Sequence, residues 1–276
     1  MQWQGRREST NVEDRRGMSG PVRMGGGLGL GGLLLLLAIS YFTGQNPAEL
    51  IQGSDPGGGG VSQPGPPATD KSSEFMRVVL ADTEDTWRSL FSQMGQQYQD
   101  ARLVLFEQAT DTACGLGQSA MGPFYCPRDQ QVYLDLSFFN ELEQRFGAPG
   151  KFAQAYVVAH EVGHHVQTLT GISSRVDAAR RGVSQSEANA LSVRQELQAD
   201  CYAGVWGHHA KGTLQVDASD VEDGLRAAAA IGDDRLQKQT QGRVVPDSFT
   251  HGSSAQRVEW FRRGLERGRI DACNTF

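Results

Sequence analysis

The sequence predicts an α+β protein, mostly helical with a small β-sheet, preceded by a single transmembrane helix and a flexible linker. Three observations carry this reading. No charged residue occurs from Met24 to Ala48. A Gly- and Pro-rich stretch, Gly53 to Asp70, follows. Beyond it, segments with apolar residues at three- and four-residue spacing outnumber two short strand-like runs. A length of 276 residues leaves room for one sizeable domain plus appendages.

Residues 1–23 are polar and locally basic, with Arg6, Arg7, Arg15, Arg16 and Arg23. The uncharged run centres on Leu33 to Leu37, and with its Gly-rich start it is long enough to cross a bilayer core of about 20 residues. No Lys or Arg lies between it and Lys71, so the charge bias puts the N-terminus in the cytoplasm and the domain on the far side. A cleaved signal peptide, with Ala38-Ile39-Ser40 as a small-x-small site, is the alternative, and it also exports the domain. The linker carries Gly57 to Gly60 and Pro56, Pro64, Pro66 and Pro67, and has too little apolar surface to fold. The resulting division is a cytoplasmic leader at 1–23, an anchor at 24–44, a linker at 45–71 and a domain at 72–276.

Within the domain, Phe75, Val78, Val79, Trp87, Leu90, Phe91 and Met94 predict a helix to about Tyr98. Leu103 to Phe106 reads as a strand, and Val132, Leu134 and Leu136, alternating with Tyr133 and Asp135, as a second. From Lys151 to Thr170, Phe152, Ala155, Tyr156, Ala159, Val162, Val166 and Leu169 form one helical stripe, bounded by Pro149-Gly150 and Gly171. This helix carries His160-Glu161-Val162-Gly163-His164. Imidazoles at i and i+4 stand one turn apart on one side and can reach one metal ion, with Glu161 placed to take a proton from water beside it. His165 points well away from the pair at about 100° per residue and reads as a polar or supporting histidine.

A third ligand is required, and Glu196 is the candidate, in a second helical pattern from about Gln185 to Ala210. Asp200 shares its face, where it can accept a hydrogen bond from a ligand imidazole. Ala199 and Ala203 are small enough for close helix approach, and apolar neighbours make this a buried helix whose carboxylates need partners. His208 and His209 read as surface or packing residues. Val216 to Ile231 predicts another helix, Asp233-Asp234 a solvated turn, and Ser253 or Ser254 the cap of a last helix carrying Val258, Phe261 and Leu265.

Four separated blocks, Gly122 to Phe139, His160 to Gln167, Gln195 to Val205 and His251 to Arg257, resemble the bacterial putative neutral zinc metallopeptidase family, membrane-anchored and similar in arrangement to the thermolysin-like gluzincins. The resemblance covers about Arg102 to Phe276. Gln167 and Thr170 stand where metzincins carry Gly and His, which excludes that class. The resemblance implies a zincin-like fold, one Zn²⁺ per chain on His160, His164 and Glu196, and peptide or protein substrates. It also implies Glu161 as general base and, in the loop before the last helix, His251 as a donor to the transition state, with an exposed or capping histidine as the alternative. For the strand at 132–136 it implies a place along the cleft, where an exposed edge pairs with substrate backbone; a plain core strand is equally compatible with the residues.

Net charge is −6 with no basic stripe, which sets nucleic acid aside. Cys114, Cys126, Cys201 and Cys273 are an even set that favours disulfides outside the cytoplasm, and sequence permits three pairings. We prefer Cys114 with Cys126, closing a Gly-containing loop, and Cys201 with Cys273, tying the C-terminus to the second ligand helix. A zinc-containing scaffold without turnover and an amidase acting on cell-wall crosslinks are the competing functions.

Overall fold

A computed structural model describes residues 1–17 and 70–276. Strand β1 (Val12–Asp14), strand β2 (Arg102–Phe106), strand β6 (Gln131–Asp135) and strand β5 (Phe124–Cys126) form a sheet in the order β1-β2-β6-β5. The first three run parallel and β5 runs antiparallel at the edge. Alternation explains how the sheet is buried on two sides. Leu103, Leu105, Val132 and Leu134 face the main core, while Val104, Phe106 and Tyr133 face a smaller cluster with Cys126 and Phe124. The strand expected at 132–136 is therefore central, hydrogen-bonded on both sides, and its edge is unavailable to a substrate; β5 holds that position instead. A hairpin of β3 (Ala109–Thr112) and β4 (Gly115–Gln118) lies on the Phe124 side, so close that a Cβ on Gly117 would come within 2.5 Å of the Phe124 ring.

Eight helices among the described residues surround the sheet: α1 (Lys71–Gln93), α2 (Phe138–Gln144), α3 (Lys151–Leu169), α4 (Ile172–Ala179), α5 (Gln185–Thr213), α6 (Ala218–Ala230), α7 (Asp233–Gln241) and α8 (Ser254–Arg267). Helix α1 stops before the expected Tyr98 because Gly95 takes a positive φ of 69° and turns the chain. Capping boxes start three helices: Ser184 with Glu187, Asp217 with Asp220, and Ser253 with Gln256. Helix α3 runs through the centre, its apolar residues buried from Phe152 to Val166 against α1, α5 and α6. Asp233-Asp234, expected on a solvated turn, opens α7 with Asp233 buried.

The N-terminal segment does not stand apart as a leader. Met1–Arg16 packs with Ala68–Phe276 as one compact unit. Trp3 is buried edge-on against Phe75, Glu84 accepts bonds from Arg7, Ser9 and Asn11, and β1 pairs with β2 in register Val12↔Leu103 to Asp14↔Leu105. The segment expected as a separate leader at 1–23 thus contributes a strand to the domain's own sheet. The expected anchor at 24–44 and the linker as far as Thr69 lie outside the described residues. Asp70, at the linker's end, is the N-cap of α1 and pairs with Arg16 at 2.7 Å. No helix among the described residues is long and apolar enough to cross a membrane.

Two disulfides join Cys114 to Cys126 and Cys201 to Cys273. The first ties the β3–β4 turn to the end of β5. The second fastens the C-terminal segment to α5, one residue beyond Asp200.

Candidate metal centre

Helices α3 and α5 approach at Gly163, where a Cβ would lie 2.9 Å from the Ala199 carbonyl oxygen and 3.1 Å from its Cα. This contact faces the His160–His164 side of α3 toward the Glu196–Asp200 side of α5. His160 Nε2 stands 3.2 Å from Glu196 Oε2, and His164 Nε2 stands 3.5 Å from Glu196 Oε1. Ligands about 2.0–2.1 Å from a tetrahedral zinc lie about 3.3–3.4 Å from one another, so the spacing and donor set fit that ion. Ligand atoms of the three residues all fall within 4.8 Å of one another, and no other such group occurs among the described residues.

Each imidazole is held from behind. His160 Nδ1 donates to Asp200 Oδ1 at 2.9 Å, an oxygen that also accepts from Tyr156 Oη at 2.5 Å and Arg257 Nη2 at 3.0 Å. Arg257 Nε completes a two-pronged clamp on Asp200 Oδ2 at 2.9 Å. Burial opposes ionisation of Asp200, but Arg257 and His160 outweigh it and hold the carboxyl down at about 2. Burial also opposes a charged His160, and there Asp200 and Glu196 win, pushing it up to about 10. Glu196 is held well below the usual carboxylate range, against burial, chiefly by His164 and His160. These carboxylates therefore favour a cation between the imidazoles and Glu196, whether proton or metal. His164 Nδ1 meets Gln167 Oε1 at 2.9 Å.

A cavity of about 550 Å³ opens over these residues, lined by α3, the 119–127 segment, α2, and the loop before α8. Glu161 and His251 both line it, with Glu161 next to the ligand pair on α3. Asp233 Oδ2 accepts the backbone N–H groups of Thr250, His251 and Gly252 at 2.7, 2.7 and 3.1 Å, which folds the loop that carries His251. His251 Nδ1 lies 3.2 Å from Asp233 Oδ1, and this contact raises its pKa above the ordinary histidine value, against burial. His165 lies outside the metal group: its Nε2 bonds the Gln99 carbonyl at 2.7 Å and its Nδ1 meets Tyr125 Oη at 3.1 Å, bracing the cleft wall at β5. His208 and His209 bond the carbonyls of Leu265 and Gly268, packing the end of α5 on α8.

A family model described as putative neutral zinc metallopeptidase matches residues 1–276. The chain belongs to that family. It is 51% identical over 283 aligned positions to uncharacterized protein YpfJ of Escherichia coli (strain K12), spanning 100% of this chain and 99% of that one. It is 41% identical over 216 positions to uncharacterized protein Rv2575 of Mycobacterium tuberculosis (strain ATCC 25618 / H37Rv), spanning 74% of this chain and 72% of the relative. Neither name assigns an activity. No solved structure matches the chain.

In this member of the putative neutral zinc metallopeptidases, several supporting residues escaped sequence reasoning: Tyr156, Arg257, Asp233 and Gln167. A signal for Arg257 existed. It lies one turn before Phe261 on the buried stripe of α8, and a guanidinium there demands a carboxylate partner. Asp233 left no comparable trace, since an aspartate at a helix start is ordinary.

Proposed function

We propose that this protein is a zinc-dependent peptidase, and one observation carries the proposal: two imidazoles and a carboxylate at tetrahedral-zinc spacing, with Glu161 beside them on the wall of an open cleft. A zinc ion held by His160, His164 and Glu196 would supply Lewis acidity, polarising a carbonyl and lowering the pKa of water. Glu161 accepts the proton from the attacking water and returns it to the leaving amine. His251, braced by Asp233 and kept cationic longer than an ordinary histidine, donates to the oxygen on which negative charge develops. Tyr156, Asp200 and Arg257 hold His160 in place. The cleft is walled by β5, an edge strand, which supports an extended peptide as the substrate class.

Replacing Glu161 with Gln tests the reading. Hydrolysis of an unfolded protein substrate is expected to fall by roughly 10²–10⁴-fold while zinc content stays at one per chain. Full activity in that variant removes the proposed base.

For localisation we propose that the domain faces a compartment that permits disulfides, on the strength of two bonds and no free cysteine among the described residues. Residues 1–16 belong to the same compartment, because β1 is part of the domain's sheet. Any membrane attachment through the uncharged run then has both its flanks on one side.

A further inference from the structure

Behind the metal group, two glutamines form a chain that reaches the C-terminal segment. Gln167 is fully buried one turn beyond His164 on α3, and Gln198 sits between Glu196 and Asp200 in sequence, nearly as deep. Gln167 Nε2 donates to the Gln195 carbonyl at 2.7 Å and to Gln198 Oε1 at 3.1 Å. Gln198 Nε2 donates to the Cys273 carbonyl at 2.9 Å. A backbone carbonyl only accepts, so it must be met by an amide NH₂ group. Two such carbonyls, one at each amide, therefore fix which way both side chains point. With its NH₂ end committed, Gln167 has only Oε1 to offer His164, and Oε1 only accepts. His164 Nδ1 must then carry the proton, which leaves its Nε2 lone pair aimed toward Glu196.

We propose that Gln167, oriented by the Gln195 carbonyl and steadied by Gln198, is the positioning residue that fixes the tautomer and ring angle of His164 as a metal ligand. The two imidazoles are thus supported by unlike chemistry. His160 leans on an anionic carboxylate neutralised by Arg257, and His164 on a neutral amide anchored to the main chain. Nothing in the spacing of Gln167 revealed this, because the residue three positions after a helical histidine is an ordinary neighbour until α5 packs against it.

This inference rests on the zinc reading of the site, and the experiment separates the two. Zinc dissociation constants are measured by chelator competition on the full chain and on Gln167→Met, Gln198→Met and the double variant, alongside thermal unfolding of each zinc-free protein. Supporting partners of ligand histidines typically account for about 10–100-fold in metal affinity. Gln167→Met is expected to weaken zinc by that factor. Gln198→Met, which keeps the Gln195 carbonyl on the Gln167 amide but removes its second acceptor, is expected to loosen the amide and weaken zinc by a smaller factor. The double variant should match Gln167→Met alone, because Gln198 acts only through it. Wild-type affinity in either single variant that folds overturns the proposal, as does simple addition of the two effects in the double variant. A wild-type chain that holds no zinc sinks the zinc reading instead.

Discussion

The crossing of α5 and α8 is the joint on which the geometry behind His160 depends, and it offers a quantitative test. Gly264 lies so close to α5 that a Cβ there would come 1.9 Å from the Cys201 carbonyl oxygen and 2.8 Å from the Val205 nitrogen; on the facing side a Cβ on Gly204 would come 2.1 Å from the Phe261 oxygen. These are backbone atoms and cannot rotate away. Restoring an ordinary contact of 3.4 Å in Gly264→Ala requires the helices to separate by about 1.5 Å. Arg257 lies two turns before Gly264 on the same face, and its bonds to Asp200 of 2.9 and 3.0 Å do not survive such a shift. Overpacking alone costs about 1–3 kcal/mol, and leaving a buried charge without its partner costs about 3–5 kcal/mol. The two together give an expected loss of about 4–8 kcal/mol, and the surviving folded protein should also bind zinc about 10–100-fold more weakly as Asp200 loses its clamp. Gly212→Ala is the control, since it lies on α5 with nothing within 4 Å of its Cβ position and should be neutral or stabilising by about 0.5–1 kcal/mol. Denaturant unfolding and zinc titration on both variants decide the matter. If Gly264→Ala behaves like Gly212→Ala, the close crossing does not set the site.

Three further outcomes are expected. Glu196→Ala should drop zinc from one per chain toward none by elemental analysis, and an unchanged metal content would refute its ligand role. In the zinc-free protein, His160 is raised from 6.5 to about 10, so the stability it contributes is complete below its unfolded value and drains away as pH rises from about 6.5 to about 10. Zinc replaces that proton, so melting curves of the metal-free protein should fall across this window while those of the loaded protein do not; parallel curves would contradict the site. For membrane topology, single cysteines introduced at exposed Thr10 and Lys211 should react with an impermeant thiol reagent from the same side of intact cells or vesicles. Labelling from opposite sides would disprove the placement of β1 in the sheet.

Much of the helical framework was legible because amphipathic spacing is a local property. Helix α3 runs Lys151–Leu169 against an expected end at Thr170, and α5 runs Gln185–Thr213 against an expected end near Ala210. Strands were harder. β1 and β5 are three residues each, too short for alternation to register, and β1 sits in a stretch whose arginines read as a charged leader. Arg7, Arg15 and Arg16 are in fact paired, with Glu84 and Asp85, with Glu13, and with Asp14 and Asp70. The loop carrying His251 was legible only as a loop, and its fixed shape comes from Asp233, which lies 18 positions earlier.

By itself the sequence determined what a single helix can dictate: His160 and His164 on one side of α3, Glu161 beside them, Glu196 and Asp200 on one side of α5. Helical periodicity settles such relations within a few residues, with no need of distant contacts. Only the tertiary structure decided that the two faces meet, because that turns on Gly163 against Ala199. The support of His160 by Arg257, the holding of His251 by Asp233, and the placement of residues 12–14 in the sheet were decided there as well. Each joins groups far apart along the chain through contacts between helices, strands and loops, and no local pattern encodes where such partners will meet.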